Sequence, residues 1–366
     1  RIYFVETDGA GALIHFAFEV CQALAAEGND VSLLTSDDYE LDDCQPDFKV
    51  VPLLKLWRRT GNTEPARRRP MRTLSRAGRR AARGARLTWQ WGRLTLHILR
   101  DPPDLVIFSE INFPHLASFL AVLKQRGVRL AQVCHEFAYQ EREGSKGLAN
   151  RVGKAMSAAI YRQFETIYFL SEATRREFLA RYRFPAERTH WIAHGEPSMF
   201  ADASAADIAA VRSELALGAD EPVILFFGSI RPSKGLPLLV EAFAECRNRD
   251  SARLVIVGAP SKQFDLAGLK SRIEAAGIAS RVSFQLGYTA NDKVGAYFAV
   301  ADCVALPYET ATQSAVLHLA YKFGRACIAT AVGGLAENIR DGETGYLVPA
   351  GDTLAMAAAL DRAIDD

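Results

Sequence analysis

Ile224-Leu225-Phe226-Phe227-Gly228-Ser229-Ile230-Arg231-Pro232-Ser233-Lys234-Gly235 is an apolar, β-type run that breaks at a glycine and passes two cations. Leu238-Leu239-Val240-Glu241-Ala242-Phe243 then continues as an amphipathic helix. A strand feeding a helix through a glycine turn is the building unit of a parallel α/β sheet. The turn also sets Arg231 and Lys234 beside the positive end of a helix dipole, where an anion is held at little cost. A diphosphate suits such a turn. An ordinary loop with solvated cations is the competing reading.

Outward from this stretch, short β-rich runs alternate with helical segments. Strands are expected at 2–5, 31–34, 105–108, 130–134, 166–169 and 190–192, with a helix over about 13–27 ending at Gly28. After a helix at 205–215, further strands are expected at 223–227, 254–257, 282–285, 303–306, 326–329 and 346–348. Two βα series in 366 residues predict two Rossmann-like α/β domains, 1–197 and 198–366, with the seam near 195–205. In such sheets ligands bind at the carboxyl ends of the strands, so two facing domains would bind in the cleft between them.

Composition narrows the class. Hydrophobic residues at 49% and charged residues at 24% describe a soluble globular chain. No apolar run approaches the ~18 residues of a membrane span. The opening Arg1-Ile2-Tyr3-Phe4-Val5 reads as a strand and not as a signal peptide, and the absent Met points to a trimmed chain. Six scattered cysteines without a CxxC pair argue against a disulfide framework or zinc site and favour a reducing cytoplasm. The net charge of +1 conceals an asymmetry: residues 58–100 hold thirteen arginines, no lysine and one acid, Glu64, leaving −11 for the rest. Arg72, Arg76, Arg79, Arg80, Arg83 and Arg86 recur at helical spacing, followed by Trp89, Trp91, Leu94, Leu96 and Ile98. Basic and aromatic residues together suit an anionic membrane surface or a lipid-linked anionic substrate. A solvated basic helix and nucleic acid are the alternatives, nucleic acid the weaker.

The first βα turn, Thr7-Asp8-Gly9-Ala10-Gly11-Ala12, would let a ligand approach the backbone closely. It lacks the third glycine of a dinucleotide fingerprint, so a dehydrogenase using Asp37 or Asp38 on the ribose is poorly supported. Near the C-terminus, a strand ending at Leu306 leads through a polar loop to a helix start at about Ser314. Amides around Gln313–Val316 would point at an anion on the same side as Arg231 and Lys234, which makes a nucleoside diphosphate the expected guest.

The second half resembles the donor domain of family 4 glycosyltransferases, retaining enzymes of the GT-B fold. The resemblance rests on the Gly228 to Lys234-Gly235 element, the Val257-Gly258 strand end, Val332-Gly333-Gly334-x-x-Glu337, and Asp341-Gly342-x-x-Gly345-x-Leu347-Val348-Pro349-x-Gly351-Asp352. The first half is similar more loosely, through Gly11, Ala23-Leu24-Ala25-Ala26-Glu27-Gly28-Asn29-Asp30-Val31, Cys134-His135-Glu136, Leu170-Ser171-Glu172 and Ile192-Ala193-His194-Gly195-Glu196.

The resemblance implies donor binding by Gly11, Gly228, Arg231, Lys234, Thr312, Gln313, Ser314, Ala315, Val316 and Glu337. Arg231 and Lys234 would neutralise the leaving diphosphate, and His135 would stand near the transferred sugar. No metal or cofactor is implied, and no Asp-x-Asp metal motif occurs. The chain departs from the family where two glutamates separated by seven residues are usual: Ala311 and Leu319 stand there, so the ribose contact that the later glutamate makes in the family is missing or replaced. Ser229 replaces a common arginine, for which Arg231 would serve. The Ala311-Thr312-Gln313-Ser314 variant resembles that of exopolysaccharide and cell-surface glycan transferases. The chain stops at Asp366, short of the last helix that usually crosses back to the first domain. The expected activity is retaining sugar transfer to a glycan or lipid-linked acceptor, cytoplasmic or peripheral on the inner membrane face. An inactive nucleotide-sugar-binding subunit and a nucleotide-sugar epimerase are the alternatives.

Overall fold

The computed structural model describes residues 1–56, 76–111, 113–136 and 148–365. The chain divides into two compact units, Arg1–Ala193 and His194–Asp366.

The first unit runs β1 (Ile2–Val5), α1 (Ala12–Ala26), β2 (Val31–Ser36), β3 (Lys49–Leu54), α2 (Arg76–Arg100), β4 (Leu105–Phe108), α3 (Ala117–Gln125), β5 (Leu130–Cys134), α4 (Leu148–Tyr161), β6 (Thr166–Phe169), α5 (Glu172–Arg181) and β7 (Thr189–Trp191). The seven strands are parallel, in the order β3-β2-β1-β4-β5-β6-β7. Alternation along each strand sorts the side chains. Tyr3, Val5, Val106, Phe108 and Leu130 pack on one face against Leu87, Trp91, Leu94 and Ile98 of α2. Phe4, Leu33 and Ile107 point to the other, where α1 lies along β2 with Ile14, Phe16 and Ala17 buried.

Positions 87, 91, 94 and 98 form one helical stripe, and this revises the membrane grouping. Trp91, Leu94 and Ile98 are core residues, whereas Trp89 is 70% exposed. Arg83 and Arg86 are exposed as expected, Arg86 donating from Nε to the Lys55 carbonyl at 2.6 Å. Residues 57–75, Arg72 among them, lie outside the described residues. Strand β3 has no counterpart in the expected set. It sits at the sheet edge, half exposed, and carries Pro52, which is tolerated on an edge strand.

The second unit runs α6 (Ala205–Glu214), β8 (Val223–Phe227), α7 (Leu236–Glu245), β9 (Arg253–Gly258), α8 (Leu266–Ala275), β10 (Val282–Leu286), α9 (Asn291–Ala299), β11 (Cys303–Leu306), α10 (Ala315–Lys322), β12 (Ala326–Thr330), α11 (Gly333–Asn338), β13 (Gly345–Val348) and α12 (Thr353–Asp365). Six parallel strands take the order β10-β9-β8-β11-β12-β13. Val223 and Leu225 face one core cluster, Ile224 and Phe226 the other, so both sheet faces are covered by helices. A Ser204–Asp207 capping box starts α6. The buried Asp361 carboxylate accepts the backbone N–H groups of Arg247 and Asn248 and so ties α12 to the end of α7.

Strand order reverses at the β1/β4 neighbours in the first sheet and at β8/β11 in the second, the places where such sheets open a ligand crevice. All six cysteines are free, and all but Cys44 are buried. Among the described residues, no helix is long and apolar enough to cross a membrane.

Candidate functional site

The carboxyl ends of β8, β11 and β12 are locked together by glycines. Gly228 ends β8 at φ 107°, and a Cβ on Gly258 would overlap its carbonyl oxygen. Pairing then continues past the strand, with Ile230 N–H donating to Ala259 at 3.0 Å and Ser261 N–H to Ile230 at 2.8 Å. Gly235 takes a left-handed turn (φ 63°) into α7, where any Cβ would strike the Pro307 carbonyl oxygen. Glu309 N–H donates to the Ser233 carbonyl at 2.9 Å. The cation-bearing loop after β8 is thereby fastened to the loop after β11.

That fastening sets Lys234. Its Nζ stands 3.5 Å from the centroid of the Tyr308 ring, a cation over an aromatic face. The Tyr308 hydroxyl meets Ser314 Oγ at 3.1 Å, and its carbonyl accepts the Thr330 hydroxyl at 2.6 Å. Burial pushes the Tyr308 phenol up, so it stays neutral and keeps its hydrogen bond. Ser314, the residue before α10, spends its hydroxyl on Tyr308 and leaves the first turn of α10 without a side-chain cap. The Ser314 N–H itself is taken by Gln313 Oε1 at 2.9 Å, so the open donors begin one residue later than expected.

Lys234, Ser314 and the start of α10 are therefore brought together through Tyr308, a residue that sequence reasoning missed. Its only signal was an aromatic beside Pro307 at a strand end. Val316 also belongs here: a Cβ on Gly228 would lie 3.3 Å from Val316 Cγ2. Thr312 and Gln313 occupy the same loop, half-buried, and Ala315 opens α10. Arg231 is exposed, its Nε 3.3 Å from Ser229 Oγ. Glu337 lies exposed on α11. Leu319 is 7% exposed within the core, and the Ala311 carbonyl fills the space a Gly333 Cβ would need. Neither side chain carries a polar group for a ribose.

The segment that begins this unit lies along α10. His194 stacks on His318 with centroids 4.3 Å apart and planes 9° from parallel, and Lys322 pairs with Glu196 at 3.3 Å. Burial holds both imidazoles neutral, lowering His194 to about 4 and His318 to about 3.

In the first unit, Gly11 starts α1 at φ 90°, but its N–H is engaged by Glu40 Oε1 at 2.6 Å. The same oxygen lies 2.6 Å from His15 Nε2. The Glu40 N–H donates to the Gly9 carbonyl at 2.9 Å, and a Cβ on Gly9 would press into Asp38. The expected open glycine turn is thus closed by the loop after β2. His135 stands just beyond β5, half-buried and edge-on to Phe16 at 4.8 Å and 89°. Among the described residues, no three histidine, cysteine or acidic side chains gather to hold a metal ion.

Residues 15–195 match the family described as Glycosyltransferase Family 4, and residues 221–366 that described as Glycosyl transferases group 1. An alpha-D-kanosaminyltransferase of Streptomyces kanamyceticus is 30% identical over 260 residues, 68% of this chain and 65% of its own. A D-inositol 3-phosphate glycosyltransferase of Nocardia farcinica is 37% identical over 166 residues, 44% of this chain and 36% of its own. The chain therefore matches less than two thirds of the length of either relative. Among solved structures, Anabaena HepE in complex with UDP aligns with a TM-score of 0.73 at 18% identity, covering 100% of this chain and 90% of that one. WaaG, a glycosyltransferase involved in lipopolysaccharide biosynthesis, aligns at 0.67 and 20% identity, covering 100% and 91%. These likenesses carry the two-domain Rossmann-like fold. With each half matched in order by its own family description, the chain belongs to glycosyltransferase family 4.

Proposed function

We propose that the protein transfers a sugar from a nucleoside diphosphate sugar to an acceptor hydroxyl, with retention at the anomeric carbon and without a metal ion. The observation that carries this reading is Lys234 held over Tyr308 beside the uncapped start of α10. A cation and free main-chain donors at one point suit a leaving diphosphate, whose charge grows in the transition state. In this reading Lys234 meets the phosphate nearer the sugar and the amides of Ala315 and Val316 meet the other. Arg231, on the exposed side of the same loop, closes over the pair as a bidentate partner. Gly228 lets the diphosphate approach the strand end, His135 contacts the transferred sugar, and Glu337 faces the donor.

HepE was solved with UDP, which makes a uridine donor the first to test. In this reading the acceptor is a glycan or a lipid-linked hydroxyl of exopolysaccharide or cell-surface glycan synthesis, met in the cytoplasm. Arg83, Arg86 and Trp89 would rest on an anionic membrane surface. Thermal-shift titration with UDP-, GDP-, ADP- and TDP-sugars identifies the base. Lys234→Ala should lower kcat/KM about 100-fold or more, the scale expected for loss of one charge-stabilising group. Full activity of both Lys234→Ala and Arg231→Ala would reject this donor site. A nucleotide-sugar-binding subunit without turnover is the second reading, favoured by the apolar filling at Ala311 and Leu319. Donor binding without UDP release would establish it.

A further inference from the structure

One buried ring in the second unit meets both a cation and a hydroxyl. Tyr308 is 1% exposed and packs in the core cluster that holds Leu306 and Leu317. Its backbone is pinned on three sides. The Tyr308 carbonyl accepts the Thr330 hydroxyl at 2.6 Å, Glu309 N–H donates to Ser233 at 2.9 Å, and the Pro307 carbonyl abuts Gly235. The ring is therefore a fixed object, against which flexible side chains can be set.

Lys234 is one of these. It ends the 3₁₀ turn Pro232–Lys234 and is half-buried, with Nζ 3.5 Å from the ring centroid. That is well inside the ~6 Å reach of a cation over an aromatic face. A neutral ring fixes an ammonium without cancelling its charge, as a carboxylate would. A free lysine gives up much rotamer freedom when it closes on an anion, and one already held over a ring gives up less. The face of Tyr308 thus supplies order and leaves the full charge for a ligand.

At the far end of the ring the hydroxyl lies 3.1 Å from Ser314 Oγ, just before α10. Burial keeps the phenol protonated. A serine hydroxyl has one proton to give. If Tyr308 donates, that proton is released to point ahead of α10, on the side of its open amides.

We propose that Tyr308 is a positioning residue of the diphosphate site: its face holds the Lys234 ammonium for the anion, and its hydroxyl donates to Ser314 so that the serine proton serves the same anion. The role rests on the donor reading given above. Buried as it is, Tyr308 acts through these two side chains and not by touching the ligand.

Inorganic pyrophosphate and UDP are titrated calorimetrically into the full chain, which reads the anion with and without a nucleoside. Tyr308→Phe keeps the face and loses the hydroxyl, and should weaken pyrophosphate about threefold. Ser314→Ala should do the same, with no further loss when the two are combined. Tyr308→Leu removes the face as well and should cost about a further tenfold. Pentafluorophenylalanine in place of Tyr308 keeps the shape, reverses the charge of the face, and should match Tyr308→Leu; it decides the matter if the leucine variant does not fold. In a Lys234→Ala background this further loss should vanish, because the ring acts through the ammonium. A merely structural ring would lower binding by one factor with or without Lys234. Such additive losses, or a pentafluoro variant that binds like Tyr308→Phe, overturn the role of the face. Unchanged binding by Tyr308→Phe overturns that of the hydroxyl. An unaltered protein that binds neither pyrophosphate nor UDP overturns the donor reading, and Tyr308's role with it, whereas binding with additive losses sinks Tyr308's role alone.

Discussion

Single residues set the geometry of the second-unit cluster, and the strictest of them is Gly235. Its left-handed backbone and the Pro307 carbonyl together forbid a side chain. Gly235→Ala should lower stability by about 2 kcal/mol or more in urea melts and detach Lys234 from Tyr308. Glu6 gives a prediction of opposite kind. Its carboxyl is held at about 7 in the folded chain against 4.5 otherwise, so the folded state binds the proton more tightly. Its contribution is complete below 4.5 and is lost as pH rises through 7, about 3 kcal/mol in total. Denaturant melts between pH 5 and 8 should show this decline, and Glu6→Gln should flatten it. Gly235 and Lys234 were legible in the sequence because strand, glycine and cation lie within one short stretch. Tyr308 and Glu40 were not, since each acts on a residue far along the chain, Lys234 and Gly11 respectively.

Among the elements, α10 carries the most: core packing through Leu317 and Leu319, the anion-facing first turn, and the histidine stack on the opening segment of its unit. Both imidazoles are neutral when folded and titrate near 6.5 when unfolded. Stability from this stack is present above 6.5 and is lost as pH falls toward 4, at about 1.4 kcal/mol per pH unit for each ring. Replacing His318 with Phe keeps a stacking partner and should roughly halve the slope of stability against pH between 6 and 4.5. Most strands were legible as β-branched and aromatic runs between turn signals. The edge strand β3 was not, because its alternation is weak and Pro52 argues against a ladder. In α2 the Leu87, Trp91, Leu94 and Ile98 stripe shows why composition misleads: arginine content suggested a surface, while the 3.6-residue period marked the buried side.

At the scale of the whole molecule, each unit has a sheet covered on both faces and its own core, clusters that do not share residues. Residues 194–366 expressed alone should melt cooperatively and keep the UDP-induced shift, while residues 1–193 should not respond to UDP. A fragment that shows no transition would refute the independence of the second core. The two sheets were legible because both repeat the same βα rhythm. The acids at the first reversal point were not, since Glu6 and Asp8 follow β1 while Glu110 follows β4, far apart in sequence and neighbours only through the pairing of those strands. The distribution of thiols gives each unit its own clock. Cys21 and Cys134 are sealed in the first, and Cys246, Cys303 and Cys327 in the second, where burial also suppresses the reactive thiolate. An alkylating reagent applied to the native protein will reach the half-buried Cys44 first, slowed because partial burial and the nearby Asp43 push its thiol up, and every later adduct dates the opening of the half that carries it.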